Sequence, residues 1–375
     1  MKLFVPKEVV PGERRVAMVP SVVRKFTQNG FDVHVESGAG AHAYFPDSEF
    51  VEAGAQIASD FDSGAAGAHV VASVRPLGER ATRLARESVA ISFVSPAQDT
   101  VTVAGAAQAG ASLLSFDLVP RISRAQSMDA LTSQALVTGY RASLVAAELL
   151  PSFFPLFMTA AGTIQPAKVL VLGAGVAGLQ AIATAKRLGA KVSAYDVRPA
   201  SADEVKSMGA TFITLDLDAL EGSGGYAREM SEDRAARQRE LLTPYIAGSD
   251  VVITTAAVPG RAAPLLVTRA MVETMHPGSV VVDLASETGG NVEGSQPGET
   301  VAIGEVRVWG AKDAASSMPV HASQLYAMNV LALSALLISE STITVDLEDE
   351  ILAGCAVVVN GEVRNEVARE ALGAN

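Results

Sequence analysis

Cysteine is almost absent: one, Cys355, in 375 residues. A lone thiol excludes a disulfide framework and fits a reducing compartment, with Cys355 expected as a small buried apolar residue. Histidine is scarce too. The five, His34, His42, His69, His276 and His321, are scattered and fall in no metal-holding spacing, so no metal site is legible. Basic residues are outnumbered, 29 Lys and Arg against 41 Asp and Glu, for a net charge of −12. No cationic stripe is on offer to displace counterions from a nucleic acid, so that class of partner is not expected. Long apolar runs are missing as well. The most apolar stretch, Leu144 to Met158, is interrupted by Glu148, Pro151 and Pro155 and falls short of the roughly 20 residues that span a bilayer. Met1-Lys2 leads straight into the strand-like Leu3-Phe4-Val5, so no secretory signal is expected.

What is present is the composition of a globular protein, 49% hydrophobic and 19% charged. Its length suits two domains of roughly 100–200 residues each. Lys168 to Asp196 organises the chain. The apolar run Val169–Leu172 meets Gly173-Ala174-Gly175-Val176-Ala177-Gly178, a helical pattern follows to Leu188, Gly189 stops it, and Lys191–Tyr195 is a second apolar strand ending in Asp196. Gly173 allows the tight turn, Gly175 lets backbone approach a pyrophosphate, and Gly178 lets helix pack on sheet. The helix start offers amide donors and a positive dipole end to phosphate. Asp196 can accept from a ribose hydroxyl, and its charge opposes a 2′-phosphate, so the pattern favours NAD(H) over NADP(H).

Before this unit, Leu3–Val5, Val33–Val35, Val70–Val74, Ala90–Val94 and Ser112–Phe116 read as buried strands, with helices near Pro20–Asn29, Asp47–Ala53 and Gln98–Ala109. Thr132 to Gly162 reads as a helix or helix pair. After the unit, strands are expected near Thr211–Leu215, Asp250–Thr255, Ser279–Leu284, Val301–Ala302 and Val306–Val308, and a helix over Ser323–Ile338. The expected fold class is α/β: two Rossmann-like domains with parallel sheets, the second inserted into the first. Their expected boundaries are 1–133 plus 318–375, and 134–317.

Two polar stretches stand out. Pro120 to Arg141 gathers Arg121, Arg124, Gln126, Asp129, Thr132 and Ser133 at a strand-to-helix junction. Such a density is costly to bury unless the groups pair with one another or with a ligand, and both readings are open. Glu221 to Gln238 is long for a connection and carries Tyr226; it reads as a lid, or as an insertion followed by a helix.

These segments together resemble the NAD(H)-binding domain I of proton-translocating nicotinamide nucleotide transhydrogenases, the alpha-subunit branch of the alanine dehydrogenase/transhydrogenase superfamily. The resemblance rests on Pro120–Arg141, on Gly173–Gly178 with Tyr195-Asp196-Val197-Arg198-Pro199, on Gly224–Met230, on Pro259-Gly260-Arg261, and on Asp283-Leu284-Ala285 with Gly289-Gly290-Asn291. It runs from Lys7-Glu8 and Glu13–Ala17 to Leu347–Glu350. It implies that Arg121, Gln126 and Asp129 hold the nicotinamide end where hydride moves, with the Thr132 hydroxyl assisting. Gly173, Gly175, Val176 and Gly178 would take the pyrophosphate, Asp196 with Val197 and Arg198 the adenosine ribose, and Tyr226 the lid. It implies a homodimer, a partner beta subunit carrying NADP(H) on domain III, and a membrane domain II subunit coupling Re/Si-specific hydride transfer to proton movement. A cytoplasmic location, peripheral at the inner face of the cell membrane, follows.

Alanine dehydrogenase, in the same superfamily, is the alternative, and a non-catalytic NAD-binding module is a second. The resemblance to alanine dehydrogenase calls for an arginine, a lysine, a histidine and an aspartate. Arg15 is kept, but the lysine region reads Ser73-Val74-Arg75-Pro76, the histidine region Ser92-Phe93-Val94-Ser95, and the aspartate position is Glu287, which is also counted among the cofactor-side residues. Amino-acid chemistry looks disabled. Hydride passage between two nicotinamides needs no general acid or base, so a transhydrogenase tolerates these changes. One departure from the family pattern is Ala311–Ser317, AKDAASS, where a Thr-Asn-x-Pro-Ser type segment is usual.

Overall fold

The computed structural model describes residues 1–217, 232–257, 261–339 and 342–373. Internal packing divides the chain into two compact units, Met1–Gln134 with the stretch from Ser316 onward, and Ala135–Ala315.

The first unit opens with β1 (Lys2–Val5), α1 (Pro20–Gln28), β2 (Asp32–Glu36), α2 (Asp47–Glu52), β3 (Gln56–Ala58), α3 (Phe61–Ala65), β4 (Val70–Ala72), β5 (Val89–Ser92), α4 (Thr100–Ala109) and β6 (Ser112–Ser115). Strands β4, β5 and β6 read VVA, VAIS and SLLS and are buried along their whole length, the pattern of strands covered on both faces. Side chains alternate along β1. Leu3 and Val5 enter one apolar cluster with Val33, Val35 and Phe50, and Phe4 enters another with Phe61, Val71 and Leu113.

Helix α5 (Ala130–Leu149) follows. The sequence pattern extends helix to Gly162; the structure ends it at Leu149. Pro151 disfavours helical backbone at the residue before it, and residues 157–164 instead form a hairpin of β7 (Phe157–Thr159) and β8 (Gly162–Ile164). Apolar content misleads here, because Phe157, Met158 and Ile164 are apolar yet exposed, and composition cannot separate an exposed hairpin from a buried helix.

The second unit continues with β9 (Lys168–Leu172), α6 (Val176–Arg187), β10 (Lys191–Tyr195), α7 (Ser201–Ser207), β11 (Thr211–Phe212), α8 (Glu232–Ala247), β12 (Val251–Thr254), α9 (Arg269–Val272), β13 (Val280–Asp283), β14 (Thr300–Ile303) and β15 (Val306–Gly310). Its sheet has the order β11-β10-β9-β12-β13-β15-β14, parallel except for the β14–β15 pair. The chain winds outward from β9 to β11 and then returns to place β12 on the other side of β9. This is the doubly wound Rossmann arrangement, and the reversal between β9 and β12 leaves a crevice at their carboxyl ends.

From Pro319 the chain adds α10 (Pro319–Leu336), the short pair β16 (Ile338–Ser339) and β17 (Thr342–Ile343), α11 (Glu350–Cys355), β18 (Ala356–Val359), β19 (Glu362–Val363) and α12 (Glu366–Ala371). The first sheet reads β19-β18-β6-β5-β4-β1-β2-β3. It is parallel from β3 to β6 and finished by the antiparallel β18 and β19. Strands β3, β18 and β19 were not among those expected from sequence. The last two had a usable signal: the turn between them is Asn360-Gly361, both at positive φ (48° and 86°), the dipeptide suited to a tight hairpin. Tyr326 of α10 is wholly buried and donates to the Ser73 carbonyl at 2.7 Å. Cys355 is buried at the end of α11, where burial pushes its thiol up to about 12. Among the described residues no helix is long and apolar enough to cross a membrane.

Candidate functional site

The glycine turn sits at the switch point of the second unit. Gly173 leaves β9 with φ +104°, and a side chain there would press on Thr255 Oγ1. Gly178 is closed to any side chain because a Cβ would fall onto the Gly173 carbonyl, whereas nothing lies within 4 Å of the Cβ position of Gly175. Gly173 and Gly178 are thus confined to glycine by φ and by close contact, and Gly175 alone of the three faces open space. Gly175 is also the N-cap of α6 and offers no side chain to it, so the first-turn amides retain their capacity to bind an anion. Val176 opens this helix half-exposed, and Val197 packs against the cluster containing Leu170, Leu172 and Tyr195.

Asp196 follows β10 and is tied to this turn. Its Oδ2 accepts the Ala174 amide at 2.7 Å, and its Oδ1 accepts the Arg198 amide at 2.8 Å. The Arg198 guanidinium closes a two-pronged pair, Nε to Oδ1 and Nη2 to Oδ2, each at 2.9 Å. Burial works against the charge of Asp196, but the Arg198 side chain and the two amides outweigh it and hold its pKa below the usual aspartate value. The acid therefore also straps the end of β10 to the turn after β9.

The network beside the turn is one that sequence reasoning missed. Thr255, the residue after β12, donates from Oγ1 to the Gly173 carbonyl at 3.1 Å. Asp283, fully buried at the end of β13, accepts from Thr254 Oγ1 (3.1 Å) and the amides of Ala285 (3.0 Å), Asn291 (3.1 Å) and Val292 (3.3 Å). Asn291, also fully buried, accepts the Ala256 amide at 3.0 Å and donates to the Ala256 and Pro264 carbonyls, both at 2.8 Å. In the sequence, Asp283 and Asn291 stand out only as marks of family resemblance. Position alone could have found Thr255, since it follows the strand beside β9 at the switch point.

In the first unit, Ser123–Met128 forms a short 3-10 helix ahead of α5, carrying Gln126, and Arg121 precedes it. Both side chains are exposed. Asp129 and Thr132 are brought together: Asp129 Oδ1 accepts the Thr132 amide at 2.8 Å and Oδ2 its hydroxyl at 2.6 Å, as an acid capping the first turn of α5 does. Arg124 is drawn away to Asp349 at 2.6 Å. Ser133 donates to Asn329, which in turn donates to the Ser127 carbonyl.

Glu287, in the second unit, is exposed and accepts the Asp313 amide at 3.0 Å, which ties it to one residue of the departing segment Ala311–Ser317. Tyr226, the stretch Gly224–Met230 around it, and Pro259-Gly260 lie outside the described residues; Glu232–Gln238 begins α8.

Arg15, kept from the alanine dehydrogenase pattern, and Arg75, which stands in its lysine region, are committed internally. Glu13, with a wholly buried side chain, binds Arg15 (2.6 Å) and Arg75 (2.7 Å) through Oε2, and Arg15 Nη1 donates to Gln134 at 2.9 Å. Burial opposes the Glu13 charge, but the bonds and charge of Arg15, with Arg75, hold its pKa at about 2. Near it Glu8 accepts the Val74 and Arg75 amides (2.6 and 3.2 Å), and burial pushes its pKa up to about 7.

Family models match both units: alanine dehydrogenase/PNT, N-terminal domain, over residues 4–138, and alanine dehydrogenase/PNT, C-terminal domain, over residues 142–366. The chain is 44% identical over 367 residues to the NAD(P) transhydrogenase subunit alpha of Haemophilus influenzae, covering 96% of this chain and 71% of that one. It is 43% identical over 374 residues to an NAD(P) transhydrogenase subunit alpha polypeptide of Rhodospirillum rubrum, covering 97% of each. The crystal structure of transhydrogenase from Sinorhizobium meliloti superposes with a TM-score of 0.88 at 41% identity, over 97% of this chain and 100% of that one. With a switch-point glycine turn strapped by its own acid, and with relatives matching along nearly its whole length, the chain belongs to the alanine dehydrogenase/PNT family.

Proposed function

We propose that this chain is the NAD(H)-binding component of a proton-translocating transhydrogenase, passing hydride between NADH and NADP⁺ held on a partner subunit. The observation that carries the reading is the junction of the Gly173–Gly178 turn with Asp196 at the switch point, with open space beside Gly175. These residues suit a dinucleotide: the uncapped start of α6 for the pyrophosphate, and Asp196 with Val197 and Arg198 for the adenosine ribose. Arg121, Gln126 and Asp129, with Thr132, place the nicotinamide end, and Tyr226 closes over it. The Asp129–Thr132 pair fixes the orientation of both side chains before any ligand arrives, which suits a positioning task. Glu287 contributes on the cofactor side by holding the Asp313 amide.

Bound NADH supplies a hydride, and the chain's own task is to hold and align it in a site shielded from water. Nothing in that task needs a general acid or base. The binding of both Arg15 and Arg75 to one buried carboxylate favours this reading over amino-acid oxidation, which needs cationic side chains available for a substrate carboxylate. Relatives named as alpha subunits support the existence of partner subunits. In this reading those partners carry NADP(H) and a membrane domain, and through them the chain sits peripherally at the inner face of the cell membrane. The exposed apolar hairpin of Phe157, Met158 and Ile164 supports a homodimer.

The test mixes this chain with a purified NADP(H)-binding domain III of a related transhydrogenase and follows reduction of an acetylpyridine analogue of NAD⁺ by NADH in the presence of NADP(H). Turnover that requires both proteins is the expected result. NADH binding without turnover with any compatible partner would leave a nucleotide-binding module, and robust oxidation of alanine by the chain alone would point to alanine dehydrogenase.

A further inference from the structure

A one-way chain of hydrogen bonds runs through the first unit and ends on the loop ahead of α5. It starts at Arg15, whose guanidinium can only donate and is locked to the buried Glu13 carboxylate. Arg15 Nη1 donates to Gln134 Oε1 at 2.9 Å, Gln134 Nε2 to Ser133 Oγ at 3.2 Å, Ser133 Oγ to Asn329 Oδ1 at 2.7 Å, and Asn329 Nδ2 to the Ser127 carbonyl at 2.8 Å. A donor-only group at one end and an acceptor-only carbonyl at the other fix the orientation of both side-chain amides between them. Glu13, Arg15, Gln134 and Asn329 are all buried, where the bonds of such a chain strengthen one another. Asn329 stands on α10 and ties Ser127, in the 3-10 helix, to Ser133, in the first turn of α5. Those two residues flank Asp129 and Thr132. Ala125 and Met128 also anchor the 3-10 helix in the apolar core, whereas the Arg124–Asp349 pair reaches it through a half-exposed arginine and contributes little.

We propose that Asn329 is a positioning residue for hydride transfer: it clamps the corner of the chain between residues 127 and 133, and so sets where Arg121, Gln126, Asp129 and Thr132 stand. The inference rests on the reading of those four as the residues that place the nicotinamide. They act on the ligand, and Asn329 acts through them. Its donation to Ser127 is the bond that matters, because the Ser133 hydroxyl has the Ala130 carbonyl at 3.1 Å as a second acceptor.

The experiment compares the full chain with Asn329→Leu and Asn329→Asp in three measurements: turnover with a purified domain III of a related transhydrogenase, NADH binding by calorimetry, and hydrogen exchange over residues 123–133. Leucine is close to asparagine in size and cannot donate. Asn329→Leu should exchange faster over 123–133 and lose about 10- to 100-fold in turnover, the cost of misplacing a group by roughly 1 Å. NADH affinity should change little, since the residues read as holding the pyrophosphate and adenosine ribose belong to the second unit. An affinity loss as large as the turnover loss would mark a general structural role and overturn the inference, and so would unchanged exchange over 123–133. A carboxyl in the same place donates to Ser127 only when protonated, the form that burial and low pH favour. The turnover of Asn329→Asp relative to the unaltered chain should therefore rise from about pH 8 to about pH 6, and a flat ratio would overturn the inference even if Asn329→Leu fails to fold. An unaltered chain that binds NADH but turns over with no compatible domain III would instead overturn the transhydrogenase reading, and this inference with it.

Discussion

Replacing Asp283 by asparagine tests whether the buried network beside β13 governs the glycine turn. The two side chains have nearly the same shape, so the change is in charge and in donor pattern. If the amide oxygen takes the Oδ1 position, it keeps Thr254 Oγ1 and the Ala285 amide, and the Asn291 amide can still reach it at 3.2 Å. The new NH₂ then faces the Val292 amide, which Oδ2 had accepted at 3.3 Å. One charge-assisted bond is lost and two donors are turned toward each other in a fully buried place. With about 1.5–3 kcal/mol per bond to a charged group and about 1–3 kcal/mol for a stranded donor, and some relief from no longer burying a charge, the net cost is about 2–4 kcal/mol. The loss should be local, because Asp283 binds the segment 285–292 and Asn291 passes the connection on to Ala256. Hydrogen exchange followed by mass spectrometry should therefore show faster exchange in 285–292 and in 255–257, with β1 to β6 unchanged, and NADH affinity should fall with it. Unchanged protection in 285–292 would refute the reasoning, since it would mean that Asp283 does not hold that segment.

Three further outcomes are expected. Gly178→Ala puts a methyl group onto the Gly173 carbonyl; it should cost about 1–3 kcal/mol of stability in urea unfolding and abolish NADH binding, and a variant that binds normally would remove Gly178 from the site. Glu8 is pushed by burial from 4.5 up to about 7, and Asp117 likewise from 3.8 to about 6. Native protein therefore binds their protons more tightly than the unfolded chain does, and the stability tied to them falls as pH rises through the window from about 4 to 7. Thermal unfolding at pH 5 and pH 8 should show that loss, and Glu8→Gln should flatten it; parallel profiles for the two proteins would count against Glu8. Glu13 acts with the opposite sign, its contribution present above 4.5 and lost as pH falls toward about 2. Met158→Glu, on the exposed hairpin, should weaken self-association in sedimentation velocity, and an unchanged profile would move the dimer contact elsewhere.

The glycine fingerprint is legible in the sequence because most of its requirements are local. The positive φ of Gly173 and the contact of Gly178 with the Gly173 carbonyl are set within one strand, one turn and one helix, and apolar runs mark the strands around them; only the crowding by Thr255 comes from far along the chain. The Asp283–Asn291 network is legible only as a string of letters, because its partners lie on different strands and the bonds exist only once β12 and β13 are adjacent. For the same reason Glu13 gives no sign of binding Arg75, which lies far along the chain. The hairpin at 157–164 is obscured for a different cause: its apolar side chains are exposed, so the rule that apolar means buried points the wrong way. In β18 and β19 the turn dipeptide Asn360-Gly361 is readable and simply carries more information than the short strands it joins.

Several of the residues expected to hold the ligand are engaged already. Asp129 holds Thr132, Asp196 holds Arg198 and the Ala174 amide, and Glu287 holds the Asp313 amide. Where ligand contacts replace these, binding exchanges hydrogen bonds instead of adding them, and such an exchange yields little net free energy per bond. What the engaged groups supply is preorganisation and discrimination: side chains fixed in place before the ligand arrives, and a penalty for any ligand that cannot restore the bonds it breaks. A 2′-phosphate cannot restore the donors removed from Asp196, whereas a ribose hydroxyl can. In the proposed NAD(H) site, selectivity thus depends on the partners that Asp196 has without a ligand as much as on the contacts it makes with one.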